Sequence, residues 1–152
     1  AHVTLNKIPA IRRILADLID AKVREAAFEI EKRAKENTPV DTGALRNSIH
    51  VVTDRDDGYA EAVASAEAAH ESALAAGKTP KGRSASSELR LFPEPTKPKA
   101  GEAIVAVGVE YGIDVERGTV RQAPQPFLTP AVEQARPLFK NAVASAVREA
   151  VR

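Results

Sequence analysis

The sequence predicts an α+β fold: a long N-terminal helix, a small and mostly antiparallel sheet, and a C-terminal helix, with a Pro-rich insertion between strands. Three observations carry this. Apolar residues recur at three-and-four spacing over the first quarter of the chain, short β-branched runs occupy the middle, and a second helical stripe fills the C-terminal end. At 152 residues the chain accommodates one domain, taken as residues 1–152.

The first helix is expected over residues 8–37. Its stripe runs through Ile11, Ile14, Leu15, Leu18, Ile19, Val23, Ala26, Ala27, Ile30 and Ala34. Arg12, Arg13, Asp17, Asp20, Arg24 and Glu31 take the opposite, solvated face. Pro9 suits the first turn, where a missing N–H costs nothing. The stop is assigned to Asn37 in a left-handed conformation, followed by Thr38, which Pro39 forces out of the helical region. At 1.5 Å per residue this rod is about 45 Å long.

Pro39-Val40-Asp41-Thr42-Gly43-Ala44-Leu45-Arg46-Asn47-Ser48-Ile49 follows. Asp41 or Thr42 can accept N–H bonds from the residues after it, giving a capped turn or one helical turn. A strand is expected over residues 48–53, where Ile49, Val51 and Val52 fall. Residues 54–58 form a charged turn, Gly58 supplies the freedom a hairpin needs, and a second strand is read over 59–65.

Residues 66–101 form the insertion. Its Ala-rich start, 66–76, is expected to be helical. Residues 77–101 hold four prolines and a basic excess, read as a mobile loop unless a neighbouring molecule clamps it. Lys78, Lys81, Arg83, Arg90 and Phe92 are its candidate interface residues.

Regular structure returns at 102–109 with a Val-rich strand, then a turn or short helix over 111–116 closed by Gly118. Residues 121–125 are read as extended. The last helix is expected to open with Thr129 as N-cap, Pro130 first inside and Glu133 in the first turn. Its stripe runs from Val132 through Ala135, Leu138, Phe139, Ala142, Val143, Ala146 and Val147 to Val151. Pro137 is expected to kink it. The segment 147–151 can instead lie against a neighbour.

Hydrophobic residues make up 43% of the chain and charged residues 28%, as in globular proteins, but aromatics only 4%. The core is therefore lean, which favours completion by neighbouring subunits. The net charge of +1 lacks the basic excess expected of a protein that lives by neutralising phosphates. With no cysteine, neither disulfides nor cysteine-ligated metal can form. His2, His50 and His70 lack ligand spacing and are expected to be solvated, so no metal, cofactor or catalytic residue is assigned. No apolar run is long enough to span a bilayer, and no signal pattern precedes the first helix; the absence of Met is expected to reflect initiator removal before Ala1.

Two segments together resemble a known family. One is the Pro39-Val40-Asp41-Thr42-Gly43-x-Leu45-Arg46-x-Ser48 turn after a helix. The other is Tyr111-(x4)-Glu116-x-Gly118-Thr119 leading into Pro126-Phe127-Leu128-x-Pro130-Ala131 before a C-terminal helix. Both are similar to the lambdoid-type minor tail, or tail-completion, proteins of tailed bacteriophages. The insertion 66–101 is longer than that family's usual connection. The resemblance implies a virion protein of the head–tail junction, made in the host bacterial cytoplasm. It also implies a ring, hexameric in the family, that joins the head connector and head-closure proteins to the tail terminator or tail tube while DNA passes through without specific binding. A tail terminator or head-closure protein of the same neck is the neighbouring alternative. The residues themselves also permit local roles: Asp41 and Gly43 in a helix-to-strand turn, Gly118 at positive φ, Phe127 as a core plug fixed by the flanking prolines. Arg46 and Glu116 are candidates for a buried or inter-subunit ion pair.

The rival catalytic reading rests on Asp41-Thr42-Gly43, the triplet that aspartic proteases place after an apolar strand in an almost wholly β fold. Here it follows a charged helix and a proline, so the expectation is no enzyme. A nucleic-acid-binding role for the basic insertion is the third possibility, weighed down by the near-neutral charge.

Overall fold

The computed structural model describes residues 8–78 and 88–152. The elements run α1 (Ile8–Asn37), α2 (Ala44–Asn47), β1 (Ile49–Thr53), α3 (Tyr59–Ala75), β2 (Ala103–Val107), α4 (Gly112–Arg117) and α5 (Leu128–Val151). The α+β architecture, with a long helix at each end and antiparallel strands between, is the predicted one.

α1 takes the predicted bounds, but its stop differs. Asn37 is not left-handed; among the described residues only glycines have positive φ. Instead the buried Thr38 turns its hydroxyl back and donates to the Ala34 carbonyl at 2.6 Å, while Pro39 ends the helix. The stripe also divides. Ala27 and Ala34 are buried, whereas Ile11 and Ile14 face solvent. Asp20, expected outside, is buried: its carboxylate accepts the Gly101 N–H at 2.8 Å and sits 3.5 Å from Arg55 Nη2.

β1 and β2 form a two-stranded antiparallel sheet in which Ile49 faces Val107, Val51 faces Val105 and Thr53 faces Ala103. All five β1 residues are buried, and adjacent residues point to opposite faces, so both faces of this strand are covered rather than one. The cover is α1 on both strands and α3 against β1 and α2.

The second strand read over 59–65 is the first half of helix α3. The turn from Asp54 to Gly58 does bring Asp57 back to Val52, but as a single bridge. Tyr59-Ala60-Glu61-Ala62-Val63-Ala64 lacks the two-residue alternation of a half-buried strand. Its small residues instead put Ala62, Ala66 and Ala73 on one buried helical face.

The stretch 88–101, expected to need a neighbour, is held by its own chain. Leu91 bridges Val109, Phe92 N–H donates to Gly108 O at 2.7 Å, and Glu110 N–H donates to Arg90 O. The Tyr59 hydroxyl donates to Phe92 O at 2.7 Å, Lys97 reaches Asp57, and Leu89 and Leu91 pack on the core. The mobile-loop reading of 79–87, with Lys81 and Arg83, lies outside the described residues.

α5 lies along α1 and is continuous through Pro137, which stands on its exposed side. Its predicted stripe is only partly covered: Ala135 and Ala146 are buried, along with Ala131 just outside the stripe, while Leu138, Val147 and Val151 are exposed. The core joins these helices to the sheet through Ala34, Leu45, Ile49, Ala66, Val109, Phe127 and Ala131. Phe127, 1% exposed, is its largest fully buried side chain, so the plug reading holds.

His50 is also a correction. It lies inside β1, 2% exposed, with Nδ1 2.8 Å from Ser48 O and its ring edge-on to Tyr59 at 5.6 Å. A strand buried on both faces leaves its even-numbered positions no solvated side.

Candidate functional site

The two sequence motifs, separated in the chain by residues 49–110, are brought together. The first begins where Thr38 leaves α1. Gly43 takes φ +86° and starts the four-residue helix α2; Thr42 Oγ1 accepts the Ala44 N–H at 3.2 Å, the cap predicted for this turn. Leu45 is buried, and Ser48, fully buried, donates its hydroxyl to Leu45 O at 2.8 Å. Asn47 reaches Ser65 O on α3. Arg46 points to solvent.

The second motif is a helix-capping device. The first four N–H groups of a helix have no partner within it. For α5 these belong to Phe127, Leu128, Thr129 and residue 130. Glu116 reaches across from α4: Oε2 accepts Phe127 N–H at 2.8 Å and Leu128 N–H at 3.0 Å, and Oε1 accepts Thr129 N–H at 2.8 Å and the Thr129 hydroxyl. The fourth position is Pro130, which has no N–H to satisfy. One carboxylate and one proline thus close the whole helix start, with the negative charge at the positive end of the helix dipole.

The helix therefore opens at Leu128, and Thr129 is not its N-cap. Its hydroxyl is a donor to Glu116. The proposed Arg46–Glu116 ion pair is absent within the chain, because both Glu116 oxygens are committed to α5. Burial pushes the Glu116 carboxyl up. The Thr129 hydroxyl, then the N–H groups of Leu128, Phe127 and Thr129, outweigh it and hold the group below the ordinary glutamate value.

The loop between the two helices is shaped to make this reach possible. Gly118 takes φ +75°, and a β-carbon there would lie 2.7 Å from Pro124 N and 2.9 Å from Gln122 O. Thr119 and Gln122 exchange backbone bonds in a tight turn, so 121–125 is not extended throughout. Gln125 N–H donates to Val115 O at 2.8 Å, which sets Pro126 and Phe127 over the core.

Between the motifs lies a groove of about 650 Å³. Pro39, Val40, Asp41, Thr42, Gly43 and Leu45 line one side, and Tyr111, Asp114, Val115 and Thr119 the other. His70, Glu88, Leu89, Arg121, Gln122 and Gln125 complete it. Sequence reasoning did not find this last group; their residue types are ordinary, and only the turn at 119–122 and the return of 88–89 bring them in. Val40 is 61% exposed at one lip, and Val120, fully exposed, stands at the tip of the 119–122 turn. Of the candidate interface residues, Lys78 and Arg90 are exposed outside the groove, Phe92 is half-buried with its carbonyl accepting the Tyr59 hydroxyl, and Lys81 and Arg83 lie outside the described residues.

Asp41 stands in a turn between two helices, not after a strand, and helices dominate the fold. The all-β frame of the aspartic-protease alternative is not present.

A second polar cluster ties α1 to the turn after β1. Arg24 donates from Nε and Nη2 to the two oxygens of Asp56, at 2.8 and 3.0 Å, and Thr53 Oγ1 donates to the same carboxylate at 2.8 Å. The Arg24 guanidinium, then the Thr53 hydroxyl, hold the Asp56 carboxyl below its ordinary value.

No curated protein and no solved structure matches the chain. Residues 4–75, just under half of it, match the family described as "Bacteriophage HK97-gp10, putative tail-component". The match includes α1, the first motif, β1 and α3, and it supports a phage tail or neck family, a structural role and a place in the virion.

Proposed function

We propose that this protein is a tail-completion or neck protein of the phage head–tail junction, forming a ring that joins the head connector to the tail tube. The observation that carries the reading is the meeting of both tail-protein-like motifs in one groove, the first of them inside the segment that matches the phage tail-component family. Neither motif presents a catalytic constellation. The first builds a turn, and the second locks α5 to α4. What they leave at the surface is a groove with an exposed apolar lip at Val40, beside the turn whose tip exposes Val120, suited to receive part of an adjoining subunit. Such contacts, repeated head to tail, close into a cyclic assembly.

The ring supplies docking surfaces for head-closure and tail-terminator or tail-tube proteins. DNA passes through it without being gripped, consistent with the near-neutral charge. The test is light scattering and negative-stain microscopy of the purified chain with and without tail tubes. Closed annuli or decorated tube ends are expected. A chain that remains monomeric and ignores tube ends refutes the reading, as does submicromolar DNA affinity at physiological salt.

A further inference from the structure

One apolar line on α1 belongs to neither the core cluster nor the groove lining. On α1, Ile11, Ile14, Leu18, Ala21, Glu25 and Phe28 follow one another at alternating steps of three and four, the seven-residue repeat of a helix-pairing seam. They lie opposite the buried Ala27 and Ala34. Ile11 is 37% exposed, Ile14 52% and Phe28 45%, Ala21 is exposed and Leu18 half-buried. A domain that needed only its own core would not leave two isoleucines and an aromatic in one line on the outside of its longest helix.

We propose that this face of α1 pairs with the same face of α1 in a second copy, the helices running parallel. The charges beside the seam favour a second copy in that direction. In a parallel pair, the residue preceding one seam position lies beside the residue five further on in the partner helix. Here these are the exposed Asp17 and the half-buried Lys22, so each copy sets its acid beside the other's base, twice by symmetry. Glu25 is the one charged residue on the seam, and Lys22 of its own chain holds it at 2.9 Å. A polar residue at one seam position lowers affinity while fixing register. The pairing is therefore weak and reversible. It uses a surface separate from the groove and does not depend on the ring.

Sedimentation velocity over a concentration series tests it on the full chain, with circular dichroism and denaturant unfolding confirming that each variant folds. Wild-type protein is expected to associate reversibly. Ile14→Glu, a substitution at an exposed position, is expected to weaken association at least tenfold with unchanged unfolding. Asp17→Lys and Lys22→Asp are each expected to weaken it by about fivefold to tenfold, and the double exchange to restore it. Wild-type protein that stays monomeric at high concentration overturns the pairing, and so does failure of the double exchange to restore. Rings or tube-end decoration that persist in Ile14→Glu while association in solution is also unchanged overturn the pairing and leave the ring standing.

Discussion

Replacing Glu116 by alanine removes the acceptor for three backbone donors and one hydroxyl at the start of α5. A conventional N-cap satisfies one such donor, and its loss to alanine costs about 0.5–2 kcal/mol. Three donors are stranded here, but the site is only partly buried, so water recovers a share. Loss of the charge at the helix start adds about 0.3–1 kcal/mol. The expected cost is about 2–4 kcal/mol, a large part of the 5–15 kcal/mol typical of a domain. Glu116→Gln keeps the shape but sets an NH₂ against N–H donors, and is expected to lose about 1–2 kcal/mol. The assay is urea unfolding at neutral pH and low protein concentration, read as a change in midpoint at constant slope. Acid supplies an independent check. The Glu116 carboxyl is held below its ordinary value when folded, so its contribution is complete above the ordinary glutamate pKa and is lost as pH falls through the depressed folded value. The gap between wild type and Glu116→Gln should therefore narrow in acid. An alanine variant within about 0.5 kcal/mol of wild type refutes the capping role, and so does a glutamine gap that does not change with pH.

Gly118→Ala is expected to cost about 2–4 kcal/mol, since a β-carbon meets both positive φ and the Pro124 backbone; thermal unfolding reads it, and a neutral result would mean the loop relaxes freely. Phe127→Ala should cost about 3–5 kcal/mol or abolish folding, whereas Phe127→Leu should remain folded with a lowered denaturant midpoint. Tyr59→Phe removes the hydroxyl donated to Phe92 O, and faster amide exchange at Phe92 and Glu110 in the isolated chain is the expected sign; unchanged protection there would show that this bond does not hold the segment. Asp56→Asn should lower stability at neutral pH by less than Glu116→Ala does, and the difference from wild type should fade in acid, because the Asp56 contribution is lost as pH falls through its depressed folded value.

The amino-acid sequence by itself determined what local physics controls. The bounds of α1 follow from periodicity and Pro39, the turn at Thr42 and Gly43 from side-chain capping, and both strands from β-branched runs. It failed where a segment's state depends on what covers it. Tyr59 to Ser65 is too short and too rich in alanine to declare its period, and packing on α2 and β1 made it helical. His50 and Asp20 carry polar side chains that local rules send to solvent, yet the fold buries both.

Glu116 shows the division most clearly. Its motif was legible as a pattern, and residue types alone suggested Arg46 as its partner. The actual partners are backbone N–H groups 11 to 13 residues away, which leave no trace in the sequence of charges. Only the turn at Gly118, by returning the chain against α4, decided that this carboxylate closes a helix rather than an ion pair. The groove between the motifs is of the same kind. Each wall is encoded locally, but their meeting depends on a core in which Leu45, Phe127 and Ala131 pack together, and such contacts are selected by shape and burial over distances that no local spacing records.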